Sequence, residues 1–188
     1  MRFYRSPLHL APALAVVALT ACNDEPDFGF DDWELAYDTV TLYSADRPEL
    51  QGLPSAYDIL ATRTIRVEDS GATGNWDFAL TGAAGEPLTL TPLGAYFEVE
   101  NNAGLATLPG EDFEGLESAP SGNAAYVTDD AVPLIDGAVF VIRSRQSGNC
   151  MSFAKLEPLE IDDAAGTMTF QLSANPNCND TDLVPPED

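Results

Sequence analysis

Three basic side chains are crowded together late in the sequence. Arg143, Arg145 and Lys155 fall within 13 positions, yet they are half of the six basic residues that follow residue 21. Arg143 and Arg145 are two apart and share a face if the chain is extended there. Their run, "VIRSR", and the nearby run "FAKL" are read as adjacent strands. A guanidinium grips a carboxylate or phosphate through two parallel hydrogen bonds. The island therefore either holds an anionic group of a ligand or is neutralised internally by Glu157, Glu160 or other acids. Internal pairing has ample material, since the chain carries 31 acidic residues. Other reactive chemistry is sparse. The only histidine is His9, near the N-terminus, so the body has no Ser-His-Asp or Cys-His arrangement and no histidine-built zinc site. No glycine-rich phosphate loop follows a strand and opens a helix, and no D-x-D-x-D-G calcium loop is present. The paired carboxylates Asp31-Asp32, Asp129-Asp130 and Asp162-Asp163 sit in turn-like contexts and read as solvated turns. The sequence is read as non-enzymatic and names no cofactor.

The N-terminus fixes the setting. "MRFYRSPLH" carries Arg2 and Arg5 and no acid, and the apolar run from Leu10 to Ala21 is 12 residues long. That is well short of the ~20 residues that cross a bilayer as a helix. A basic start, a short apolar middle and small residues at the end describe a secretory signal peptide. Its end, Leu19-Thr20-Ala21-Cys22, resembles the lipobox of bacterial lipoprotein precursors. The resemblance implies cleavage after Ala21, acylation of Cys22 and a membrane anchor in the bacterial cell envelope, with the outer membrane preferred over the inner. Cys150 and Cys178 then remain in an oxidising compartment, where such a pair is expected to form a disulfide.

Local pattern supports that pairing. "KLEPLEI" and "TMTFQLS" flank "DDAAG", a turn-like cluster. If Ile161 pairs with Thr167, residue numbers across the hairpin total 328, as they do for Cys150 and Cys178. In this register Leu159 and Ile161 face the threonines, while Met168, Phe170 and Leu172 form the opposite, apolar face. A β-bulge near Pro158 reconciles the two halves.

The rest of the body also reads as strands. Period-2 alternation marks "YDTVTLYS" (Val40, Leu42), "RTIRVED" (Ile65, Val67), "NWDFALT" (Trp76, Phe78, Leu80) and "PLTLTPL" (Leu88, Leu90). "AYFEVE" and "AAYVT" are read the same way. "AVFVI" is apolar on both faces and reads as an interior strand. One short helix is expected in "GEDFEGLESAP". The fold class is all-β: an antiparallel sandwich or partly closed barrel. The chain divides into a signal peptide (1–21), an acidic tether (22–34), a single β-rich domain (35–179) and an acidic tail (180–188). Losing Arg2 and Arg5 takes the formal charge from −23 to −25, which repels nucleic acid and anionic head groups.

The lipobox, the tryptophan motifs from Trp33 to Ala36 and from Trp76 to Ala79, and "VFVIRSR…FAKLEPLEID…GTMTFQL" resemble exported bacterial lipoproteins. They are similar to the C-terminal part of the HmuY-like family, whose β-rich members take up haem at the cell surface. That family holds haem by His or Met. Here no histidine follows the signal peptide, Met168 alternates with core residues, and no ligand position carries over. Two readings stand. One is a lipid-anchored surface protein that captures a small ligand, with Arg143, Arg145 and Lys155 at the ligand end of the sheet. The other is a structural or interaction lipoprotein that supports an envelope complex. An open apolar cavity between the sheets favours the first, and a filled core favours the second.

Overall fold

A computed structural model describes residue 33 and residues 35–186. The signal peptide, Cys22 and most of the tether lie outside them. Ten strands form two five-stranded antiparallel sheets packed as a sandwich. One sheet has the order β1 (Asp38–Tyr43), β10 (Thr167–Ala174), β9 (Phe153–Asp162), β8 (Ala138–Arg143), β6 (Gly104–Pro109). The other has the order β3 (Arg63–Ile65), β2 (Ala56–Asp58), β4 (Phe78–Thr81), β5 (Thr89–Pro92), β7 (Val132–Pro133). Among the described residues the single α-helix, α1, is the one turn Leu93–Phe97.

The alternation builds the central core. Leu42, Leu105, Phe140, Ile142, Leu156, Met168, Phe170 and Leu172 of the first sheet meet Tyr57, Phe78, Leu80, Leu88, Leu90 and Val132 of the second. The rings of Tyr57, Phe78 and Phe170 interlock with centroids 6.0–6.1 Å apart. Each outer face carries a smaller apolar layer of its own. On the second sheet, Ala56, Ala79, Trp76, Leu93 and Ala103 cluster. On the first, Val141, Phe153 and Ala106 are covered by Ala119, Tyr126 and Leu183. That cover is why β8 is buried at every residue although it lies one strand from the edge.

Four local expectations are corrected. "AYFEVE" is not a strand, because Tyr96 and Phe97 both pack on Trp76, at 5.3 and 5.6 Å. Consecutive residues of a strand point to opposite faces, so a helical turn is needed. Trp76 does not share a face with Phe78 and Leu80; it precedes β4 and turns into the outer layer. "GEDFEGLESAP" forms turns rather than a helix. Asp112 accepts the Gly115 amide at 2.8 Å there, a side-chain bond that competes with helix formation. "AAYVT" contributes only a 3₁₀ turn, Asn123–Ala125, and a bridge between Val127 and Leu105. Beyond Asn179 the chain stays on the body through Leu183, which is buried and donates its amide to Glu117 at 2.7 Å.

The closing hairpin has two registers. Ile161 opposes Met168 beside the turn, not Thr167 as expected, because Thr167 pairs with Asp162; Leu156 opposes Leu172 farther out. The shift leaves Leu159, next to Pro158, as an unpaired residue that is 53% exposed. The bulge returns Ile161 to the core side and expels Leu159. In the outer half, facing residue numbers total 328, and beyond the strand ends the two segments meet again at the Cys150–Cys178 disulfide, with Cα atoms 5.1 Å apart. At the turn, Gly166 has φ +74° and lies against the Arg47 side chain; a Cβ there would sit 2.7 Å from it.

The disulfide closes a loop with a sequence separation of 28, which the chain-entropy model values at about 3–4 kcal/mol. Thiol labelling of unfolded, unreduced protein is expected to find neither Cys150 nor Cys178 reactive. Cys178→Ser is expected to lower unfolding free energy by about that amount in urea titrations.

Candidate functional site

The basic island is dispersed by the fold. β8 and β9 pair as adjacent strands, with Val141 opposite Lys155 and Arg143 opposite Phe153. Arg143 and Lys155 thus emerge on the covered outer face. Arg143 donates from Nε to Asn102 O at 2.8 Å and from Nη1 to Asn123 Oδ1 at 2.6 Å, and it stacks 4.6 Å over the Tyr126 ring. Arg145 lies beyond the end of β8 and turns toward the other sheet. Its Nη1 donates to Asp58 Oδ1 at 2.9 Å and to Asp77 Oδ1 at 3.1 Å. Neither Glu157 nor Glu160 pairs with any of the three; Glu157 instead accepts from Gln171.

Asp58 and Asp77 are each 1% exposed. Beyond Arg145, Asp77 accepts the Ile59 amide at 2.8 Å and the Arg145 amide at 2.7 Å, and Asp58 accepts the Ala61 amide at 3.2 Å. Burial pushes the Asp77 carboxyl above the ordinary carboxylate value, opposed by the charge of Arg145 and the two backbone amides. Burial pulls Arg145 down, but its bond to Asp58 and the nearby charges of Asp77 and Asp58 outweigh it, so the net shift is upward. Two buried carboxylates around one guanidinium form a structural tie: the Ile59 amide takes the other oxygen of Asp77, and Arg63 Nε approaches the other oxygen of Asp58 at 3.7 Å. Neither acid was singled out in the sequence. The available clue is that each is a lone acid in an otherwise apolar or aromatic run, "AYDIL" and "NWDFAL".

Lys155 is 0% exposed. Its ammonium donates to Leu116 O at 3.2 Å and lies 5.1 Å from the Phe113 ring. Among the described residues no carboxylate forms an ion pair with it. Burial lowers its pKa, against the opposing charges of Asp112 and Glu114. Ser173 stands directly across from it, and its buried Oγ has no hydrogen-bond partner.

Open grooves mark the described surface, two of them along α1 and β3. The larger, about 790 Å³, is walled by Gly94, Glu98, Val99, Asn101, Thr128 and Gln146 and is polar and acidic. The smaller, about 490 Å³, runs along β3 and includes Arg63 and Arg66 beside Pro54, Ile65 and Ala72. Neither enters the space between the sheets, which the central core fills.

The buried charges behave oppositely when altered. Arg145→Met strands two buried carboxylates and is expected to cost about 3–5 kcal/mol. Lys155→Met removes an ammonium that has no ion-pair partner and keeps its volume; it is expected to be neutral or stabilising by about 1–4 kcal/mol. Urea titration of both variants checks the contrast.

Alkaline pH probes burial independently. Burial, aided by the negative charges of Asp38 and Asp58, pushes Tyr57 up to about 12. Burial does the same for Tyr126, to about 12, against the charge of Arg143. Both folded values lie above the unfolded 10.0. The stability these phenols contribute is thus complete below pH 10 and lost as pH rises through 12. Spectrophotometric titration is expected to show Tyr57 and Tyr126 ionising late, together with unfolding.

Set against family models, curated proteins and solved structures, the chain matches none of them.

Proposed function

We propose that this chain is a lipid-anchored, non-enzymatic interaction module of the bacterial cell envelope, which meets its partner on its outer surface rather than enclosing a ligand. The observation that carries the reading is the filled inter-sheet core together with open grooves confined to the surface. A sandwich that captures haem or another apolar ligand needs a concave, largely apolar cavity that buries most of the ligand. Here Met168, the remaining candidate for a haem ligand in a strand, is 0% exposed among core residues. Arg143, Arg145 and Lys155 are held by partners inside the protein. The anchor rests on "LTAC" at the end of a signal-like run.

The anchor is directly testable. Protein purified from its native host is expected to begin at Cys22, to carry acyl chains by intact mass, and to partition into detergent. Cys22→Ala is expected to abolish both the added mass and the detergent partitioning. A native chain that is unmodified and begins elsewhere overturns the anchor.

A further inference from the structure

Of the six basic residues beyond residue 21, four are turned inward. Arg47 is 2% exposed and donates to Gly82 O and Ala164 O, and Arg143, Arg145 and Lys155 are engaged as described above. The remaining two, Arg63 and Arg66, are on the surface, with side chains 60% and 48% exposed, and both line the 490 Å³ groove. Arg63 makes a single long approach, Nε to the buried Asp58 at 3.7 Å; its Nη nitrogens have no partner among the described residues. Arg66 donates to Asp69 Oδ2 from both Nε, at 3.0 Å, and Nη2, at 2.9 Å, and Asp69 lines the same groove; the pair is solvent-exposed and of the kind worth little, so an incoming carboxylate competes with it. Glu68 is occupied by the Gly52 amide.

The floor of the same groove is β3, which pairs on one side only, with β2. Among the described residues, the other sheet edges carry no exposed guanidinium or ammonium group. The Tyr43 amide of β1 is taken by Pro54 O, and Leu105 of β6 exchanges both backbone bonds with Val127. β7 is two residues long and contains Pro133. An exposed sheet edge is a template for an added strand, whose main chain supplies affinity while side-chain contacts supply specificity.

We infer that the β3 groove takes an extended, carboxylate-bearing segment of a partner protein, laid along Thr64 and Ile65 with its acids on Arg63 and Arg66. The proposal rests on the interaction-module reading and names its surface. Charge decides the occupant. Across a strongly acidic surface, this groove is where an acidic segment meets unburied guanidinium groups. Charges beyond about 8 Å are screened at physiological salt, so the remote acids do not cancel the local contacts.

The test uses ¹⁵N-labelled protein and three probes: the capped peptide Thr-Glu-Val-Glu-Thr, its Gln counterpart Thr-Gln-Val-Gln-Thr, and glutarate. The Glu peptide is expected to shift the amides of Thr64, Ile65 and Arg66 and to bind more tightly than either other probe. R63Q/R66Q, whose altered side chains are exposed, is expected to retain the folded spectrum and weaken binding about tenfold or more. The inference is overturned if the Glu peptide shifts nothing or shifts other regions. It is also overturned if the Gln peptide or glutarate matches it, or if the double variant binds unchanged. Such a failure leaves the interaction-module reading standing. That reading fails separately, if native protein crosslinks to no envelope partner through any surface.

Discussion

Asp77 is where the two sheets are tied together. Its backbone amide donates to Tyr57 O in β2, and its carbonyl accepts the Leu93 amide at the start of α1. Its carboxylate accepts the Ile59 amide after β2 and, across the sandwich, both the amide and the guanidinium of Arg145. One residue thereby joins β2, β4, the helical turn and the segment leaving β8. A carboxylate taken out of water carries a desolvation cost of several kcal/mol. It is tolerated here because the oxygens of Asp77 are matched by donors, and because Arg145 shares its charge with Asp58. The geometry also explains Trp76: with Asp77 drawn toward Arg145, the preceding indole is carried to the outer layer, where Tyr96 and Phe97 close over it.

The same economy governs the outer face of the first sheet. β8 can be apolar on both sides only because the segment after β6 and the chain through Leu183 lie over it. Ala119 donates to Thr181 O at 2.8 Å, and Ser118 bridges Asp182, so the two covering segments hold each other. The network of Asn175 with Asp180 and Asp182 O holds the second of them near the end of β10. The disulfide pins the connecting segment to the start of β9. Lys155 lies beneath this lid with a carbonyl and a ring but, among the described residues, no ion-paired carboxylate for its ammonium, and Ser173 beside it has no hydrogen-bond partner for its Oγ.

Much of the sandwich was legible because alternation is a local property. Leu88 and Leu90 against Thr89 and Thr91, or Met168, Phe170 and Leu172 against their polar neighbours, name the buried face without reference to any other strand. The bulge at Leu159 was legible for a related reason: two halves of one hairpin demanded different registers, and Pro158 marked where they could part. What stayed hidden depended on distant partners. Tyr96 and Phe97 look like strand residues until Trp76, twenty positions earlier, is placed beside them. The pairing of Asp58 with Arg145 spans 87 positions, and no periodicity reports it. Closeness in sequence suggested that Arg143, Arg145 and Lys155 act together. Arg145 left that group because it lies past the end of β8, where strand alternation no longer sets its direction.

The fate of the cations shapes the surface more than their number does. Arg47, Arg143 and Lys155 satisfy themselves largely on carbonyl oxygens: Gly82, Ala164, Asn102 and Leu116. They therefore neutralise few carboxylates by direct pairing. Of the acids, Asp58, Asp77 and Asp180 are buried, so most of the negative charge faces solvent. On the proposed reading, in which an acyl anchor holds the domain near a bilayer, its own field would push it away from anionic head groups over a distance of about one Debye length, ~8 Å at physiological salt. Under that proposal the repulsion would hold the sandwich off the lipid without a rigid spacer and leave its grooves open. It also biases association: unpaired acidic partners are repelled over most of the molecule, and cationic or locally complementary ones are not. In such a protein the few surface guanidinium groups carry more information than the many carboxylates, since they are the exceptions to its field.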